Sequence, residues 1–156
     1  MSYKLYAARP SQLEDILKLC MKGLKEGHEK DLPLNKYKVK TLLNECITNA
    51  HQLAIVAMSK GRIRGMAIGY VSSHAYADGL VAEDLAIYVC PVYRGTGCYQ
   101  SLVEAYDSWC DRIPNLLGST LSLSRLNATT QVMDKLYTDI GYKRVGVDYL
   151  KLRDSI

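Results

Sequence analysis

The chain has 156 residues, 48% hydrophobic and 23% charged, with 12 tyrosines, one tryptophan and no phenylalanine. This composition excludes a disordered chain, and the length is enough for one domain to build a core without disulfides or metals. The net charge of +4 comes mostly from residues 1–50, with nine Lys/Arg against six Asp/Glu, and does not by itself specify a nucleic-acid partner.

No apolar run approaches the roughly 20 residues that cross a bilayer, and Met1–Leu5 lacks a signal-peptide stretch. The five cysteines, Cys20, Cys46, Cys90, Cys98 and Cys110, show no paired spacing and lie in apolar segments. They read as buried free thiols in a reducing compartment, so a cytoplasmic location is expected. His28, His51 and His74 form no ligand pattern, and no metal is expected.

In chain order, Tyr3–Ala8 is β-like and is broken by Arg9-Pro10-Ser11. Ser11 with Glu14 predicts a capping box opening a helix whose stripe is Leu13, Ile16, Leu17, Leu19, Cys20 and Leu24. A second helical stripe follows in Tyr37, Val39, Leu42, Leu43, Cys46 and Ile47. Gln52–Met58 and Ile63–Ser73, joined at Gly61, predict a β-hairpin. Gly65 and Gly69 within it suggest a bulge or a close approach by another group.

Leu85–Val89 reads as a strand, and Leu102–Cys110 as a helix. Leu121–Leu123 reads as a further strand, and Val132–Ile140 as a helix stopped by Gly141. Tyr142–Leu152 is expected to close the fold as one or two strands. The order predicts a single domain over 1–156, an α/β (α+β) mixed sheet with helices on both faces, splayed where hairpin and crossover portions meet.

The segment with most chemical content is Leu85–Tyr99. A strand runs into Arg94-Gly95-Thr96-Gly97 and then into a helix. Glycines let backbone N–H groups approach an anion, and the helix N-terminus adds partial positive charge. Arg94 offers a charge-assisted contact. The spacing is neither a P-loop nor a dinucleotide fingerprint.

Arg94-Gly95-Thr96-Gly97-Cys98-Tyr99 resembles the signature of the GNAT superfamily of acyl-CoA-dependent N-acyltransferases: Arg or Gln, two residues, Gly, one residue, Gly or Ala. Leu136-Tyr137-Thr138-Asp139-Ile140-Gly141-Tyr142 is similar to that family's closing Leu-Tyr-x-x-x-Gly-Phe motif. Arg9-Pro10 with Gln12–Leu19 looks like its opening strand-to-helix turn, so the resemblance spans nearly the whole chain. Tyr99 departs from the pattern, because the signature ends in a small residue. Pointing inward, it narrows the pyrophosphate cradle.

The resemblance implies acetyl transfer from acetyl-CoA to an amine. Such an attack needs a neutral amine, a donor to the thioester carbonyl and a proton for the leaving thiolate. It implies Tyr137 as the acid and Glu83 as the base, with Asp84 on the opposite strand face and Glu26 and His28 as weaker alternatives. On the strand Ile87-Tyr88-Val89, the backbone of Ile87 and Val89 is expected to pair with the pantetheine arm. The N–H groups of Arg94, Gly95, Thr96, Gly97, Cys98 and Tyr99 are expected at the pyrophosphate. Asn127 is a candidate cofactor contact or an N-cap, and Thr130 holds the place of the family's asparagine.

Three functions follow as expectations. The first is an N-acetyltransferase acting on a small-molecule or protein amine. The second is a non-catalytic CoA- or protein-binding relative. The third is a toxin acetylating aminoacyl-tRNA, whose binding would weaken steeply with salt. A homodimer through the C-terminal strands is also open.

Overall fold

The computed structural model describes residues 2–123, 130–146, 149 and 151–153. Asn127 lies outside the described residues. The side chains of His28 and Thr130 lie outside the description as well.

The strands are β1 (Lys4–Ala7), β2 (Leu53–Ser59), β3 (Arg62–Ser73), β4 (Leu80–Val89) and β5 (Leu116–Thr120). The helices are α1 (Leu13–Glu26), α2 (Lys36–Thr48), α3 (Cys98–Asp111) and α4 (Thr130–Asp139). The sheet order is β1-β2-β3-β4-β5. The first three pairings are antiparallel, and β4–β5 is parallel. The parallel pair follows from chain order, because α3 carries the chain back over the sheet between its two strands.

Strand alternation divides the core. Val56, Met66, Ile68 and Tyr88 pack under Ile16, Leu17, Leu43 and Cys46 of α1 and α2. On the other face, Ala57, Ala67 and Val89 pack against Cys98 and Leu102 of α3. Ala82, Leu53, Tyr106 and Trp109 continue that second layer. Val103 of α3 joins Met133 and Tyr137 of α4. The mixed sheet with helices on both faces is therefore as expected.

Three local expectations are corrected. The first helix is not capped by Ser11. Pro10–Gln12 forms a 3-10 turn, and the Gln12 side chain accepts the Arg9 N–H at 2.9 Å, so α1 starts only at Leu13. The fifth strand is Leu116–Thr120 rather than Leu121–Leu123. Ser122 N–H donates to the Asp84 carboxylate instead of to a strand backbone, which ends the ladder. Of Tyr142–Leu152, the described residues 142–146, 149, 151 and 152 are in no strand.

Both hairpin glycines have close neighbours. The β2–β3 register shifts between Ala57 and Met58, beside Gly65. A Cβ on Gly69 would lie 2.8 Å from Trp109 Cζ3 and 3.2 Å from both Leu53 Cβ and Tyr106 Cε2.

Candidate active site

The β4–β5 register covers Leu80–Glu83 and stops at Glu83–Thr120. Beyond it, Asp84–Val89 has no strand partner on its outer edge among the described residues. Cys90 N–H bonds the Arg64 carbonyl of β3 at 2.8 Å. Antiparallel alternation then directs the N–H and C=O groups of Ile87 and Val89 away from β3, into the opening.

At the end of this edge lies the glycine loop. Pro91–Tyr93 makes a 3-10 turn, Thr96 Oγ1 donates to the Tyr93 carbonyl at 2.5 Å, and α3 begins at Cys98. Gly95 and Gly97 have φ of +77° and +85°, a region that costs L side chains about 1–2 kcal/mol. A Cβ on Gly95 would meet nothing within 4 Å, and one on Gly97 only the Tyr3 hydroxyl at 3.7 Å. Backbone conformation, rather than crowding, therefore requires glycine, and the space before the α3 N-terminus can admit an anion. The Cys98 side chain is fully buried beneath the loop.

Arg94 is turned toward α1. Its Nη2 donates to Glu26 Oε2 at 2.6 Å, and its Nε donates to the Val89 carbonyl at 3.1 Å. Its guanidinium carbon lies 5.4 Å from the Tyr88 ring centroid. The Tyr88 hydroxyl donates to Glu26 Oε1 at 2.6 Å. Burial works to raise the Glu26 carboxyl, but the Tyr88 and Arg94 contacts outweigh it and hold the group below its usual range. Burial pushes the Tyr88 phenol up to about 12. One carboxylate thus ties the end of α1 to the loop signature. The family resemblance offers Glu26 only as a weaker alternative to Glu83 for the base.

The two carboxylates of β4 face opposite sides. Glu83 is in register with Tyr70, which packs toward α1 and α2, and is exposed. Asp84 faces the α3 and α4 side. Ser122 N donates to it at 2.9 Å and Ser122 Oγ at 3.1 Å. Burial pushes the Asp84 carboxyl up to about 6, against the pull of the Ser122 bonds.

Tyr137 belongs to the buried cluster against which Ile87 of β4 packs, and is 5% exposed. Its hydroxyl donates to the Ser122 carbonyl at 3.0 Å and lies 2.6 Å from the Tyr99 hydroxyl. Tyr99 therefore points toward α4, beside the free edge of β4. Burial raises both phenols above their ordinary range. Thr130 is the first residue of α4.

A separate depression of about 820 Å³ lies along β1 and the β2–β3 turn, with Tyr3, Tyr6, Gln12 and Lys60 in its wall. None of the candidate residues lines it. Among the described residues no helix is long and apolar enough to cross a membrane, and no His/Cys/Asp/Glu group is arranged to hold a metal.

No family model and no curated protein matches the sequence. Solved structures do match in fold. AAC(6')-Iy in complex with the bisubstrate analog CoA-S-monomethyl-acetylneamine is 18% identical, with TM-score 0.71 over 99% of this chain and 100% of that one. The aminoglycoside antibiotic 6'-N-acetyltransferase AAC(6')-Ih from Acinetobacter baumannii is 21% identical, with TM-score 0.64 over 99% and 100%. The ribosomal-protein-alanine N-acetyltransferase from Brucella melitensis is 14% identical, with TM-score 0.67 over 98% and 100%. The chain thus shares the fold of these acetyltransferase structures, as the two sequence motifs implied.

Proposed function

We propose that this chain is an N-acetyltransferase that moves an acetyl group from acetyl-CoA to a primary amine of a small molecule or protein. The observation that carries the reading is the continuous path formed by the unpaired β4 edge, the glycine loop and the α3 N-terminus, with Tyr137 in the buried cluster that packs beside Ile87 of that edge. Likeness in fold to a structure holding a CoA bisubstrate analog supports it.

In this reading the N–H groups of Gly95 to Tyr99 hold the pyrophosphate, and the outward backbone groups of Ile87 with the Val89 N–H hold the pantetheine arm. Arg94 anchors the loop through Glu26 and Val89 rather than reaching the phosphates with its guanidinium. Acetyl-CoA supplies the activated acyl group. Glu83 and Tyr137 flank the open edge from opposite faces of the sheet. This suits a base that takes the amine proton on one side and an acid that meets the leaving sulfur on the other.

The test is thiol release from acetyl-CoA with a panel of amines that includes an aminoglycoside and a peptide α-amine, with Tyr137→Phe alongside. Acetylated product with any amine supports the reading. Its absence across the panel, with acetyl-CoA bound, supports the second reading, a CoA-binding relative without transfer. That alternative is favoured by one observation: the Tyr137 proton is already engaged by the Ser122 carbonyl.

A further inference from the structure

The departure from the loop signature, Tyr99, has a defined partner. A carbonyl oxygen only accepts, so at rest the Tyr137 proton points at Ser122. The 2.6 Å contact between the two phenols then has one direction that satisfies both donors: Tyr99 donates and Tyr137 accepts. The Tyr99 ring is held by packing against two buried clusters, one containing Val89 and Leu102 and the other Val103 and Tyr137, and by its place in the first turn of α3. The donor is thus fixed by the same helix terminus that forms the anion site.

We propose that Tyr99 is a positioning residue that acts through Tyr137, orienting its hydroxyl and stabilising the phenolate formed when Tyr137 gives up its proton. The inference rests on the acetyltransferase reading above. As the amine nitrogen forms the C–N bond and the C–S bond breaks, the C–S electron pair stays on sulfur and the sulfur takes the Tyr137 proton. The Tyr99 O–H···O contact becomes a hydrogen bond to an anion, which is shorter and stronger than one between neutral groups. The acylated nitrogen gives its proton to Glu83, which passes it to water, and water returns a proton to Tyr137. A loop tyrosine that merely filled space would leave this step untouched.

The experiment compares Tyr99→Phe, Tyr137→Phe and the double variant, each shown to be folded by circular dichroism. Phenylalanine keeps the packed ring, so only the hydroxyl is removed. Tyr99→Phe is expected to lower kcat by about 10- to 100-fold, the range for a hydrogen bond to a charged group, with KM for acetyl-CoA unchanged. The double variant should be no slower than Tyr137→Phe alone. Without acetyl-CoA, the shifts in urea midpoint of the two single variants should likewise sum to more than that of the double variant. Multiplicative losses in kcat, additive midpoint shifts, or a raised KM with unchanged kcat would overturn the inference while leaving the acetyltransferase reading intact. A wild-type chain that binds acetyl-CoA but transfers to no amine would remove both.

Discussion

Asp84 of β4 accepts the backbone N–H of Ser122 at 2.9 Å at the point where β4 and β5 part. A side-chain acceptor replaces the next rung of the ladder, so the strands separate there and the β4 edge opens. The same Ser122 uses its carbonyl to hold Tyr137, so the fork and the candidate acid share one residue.

This fork should titrate. The Asp84 carboxyl is raised from 3.8 to about 6 in the folded chain. Between those values the folded state holds a proton that the unfolded state has lost. Raising the pH through this window therefore removes stability, and the loss is complete above about 6. Urea midpoints measured from pH 4 to pH 7 should fall for the wild type relative to Asp84→Asn, whose carboxamide does not titrate. Parallel profiles would show that Asp84 titrates as it does in the unfolded chain.

Glu26 joins α1 to the glycine loop by accepting from both Tyr88 and Arg94. Its side chain is 31% exposed and that of Arg94 39%, so solvent screens the ion pair. Glu26→Gln should cost about 1 kcal/mol, with the loss shrinking in high salt, while the Tyr88 hydrogen bond keeps part of the link. Urea unfolding at low and high salt reads both parts.

Gly69 and Gly61 separate crowding from conformation. Gly69→Ala drives a methyl into Trp109, Leu53 and Tyr106 and should cost about 2 kcal/mol by overpacking. Gly61, at φ +71° with open space around it, should lose only the roughly 1 kcal/mol of a left-handed alanine. Thermal melts of the two variants rank them.

The helices and the hairpin were legible because their apolar periodicity is strong, and the loop because its glycines are required by positive φ. The facing of the β4 carboxylates was not. Counting back by twos from Val89 puts Glu83 on the face of α3, but the register shifts opposite Leu85 and resets the alternation, so Asp84 takes that face. Gly69, beside the shift, was the available signal. The start of β5 was hidden because Asn115, at φ +60°, turns the chain into a short Leu-Leu-Gly run without alternation. The direction of Tyr99 depended on a partner 38 residues away.

The absence of phenylalanine also has a physical counterpart. Tyr142, where the closing motif of the family has phenylalanine, bonds Asp107 at 3.0 Å and Ser119 at 2.8 Å. Tyr106 donates to the Thr120 carbonyl at 2.8 Å and Tyr93 to Ser59 at 2.9 Å. Each of these three hydroxyls has a partner, so these tyrosines pack as phenylalanines would and also fix the layers against one another.

Calorimetric titration of acetyl-CoA into the wild-type chain and Gly97→Ala tests the central claim most directly. Saturable one-to-one binding at micromolar to submillimolar concentration is predicted for the wild type. Gly97→Ala should bind at least about tenfold more weakly, because a Cβ at φ +85° distorts the α3 N-terminus. No heat of binding at millimolar acetyl-CoA, or equal affinity in the two proteins, would contradict it.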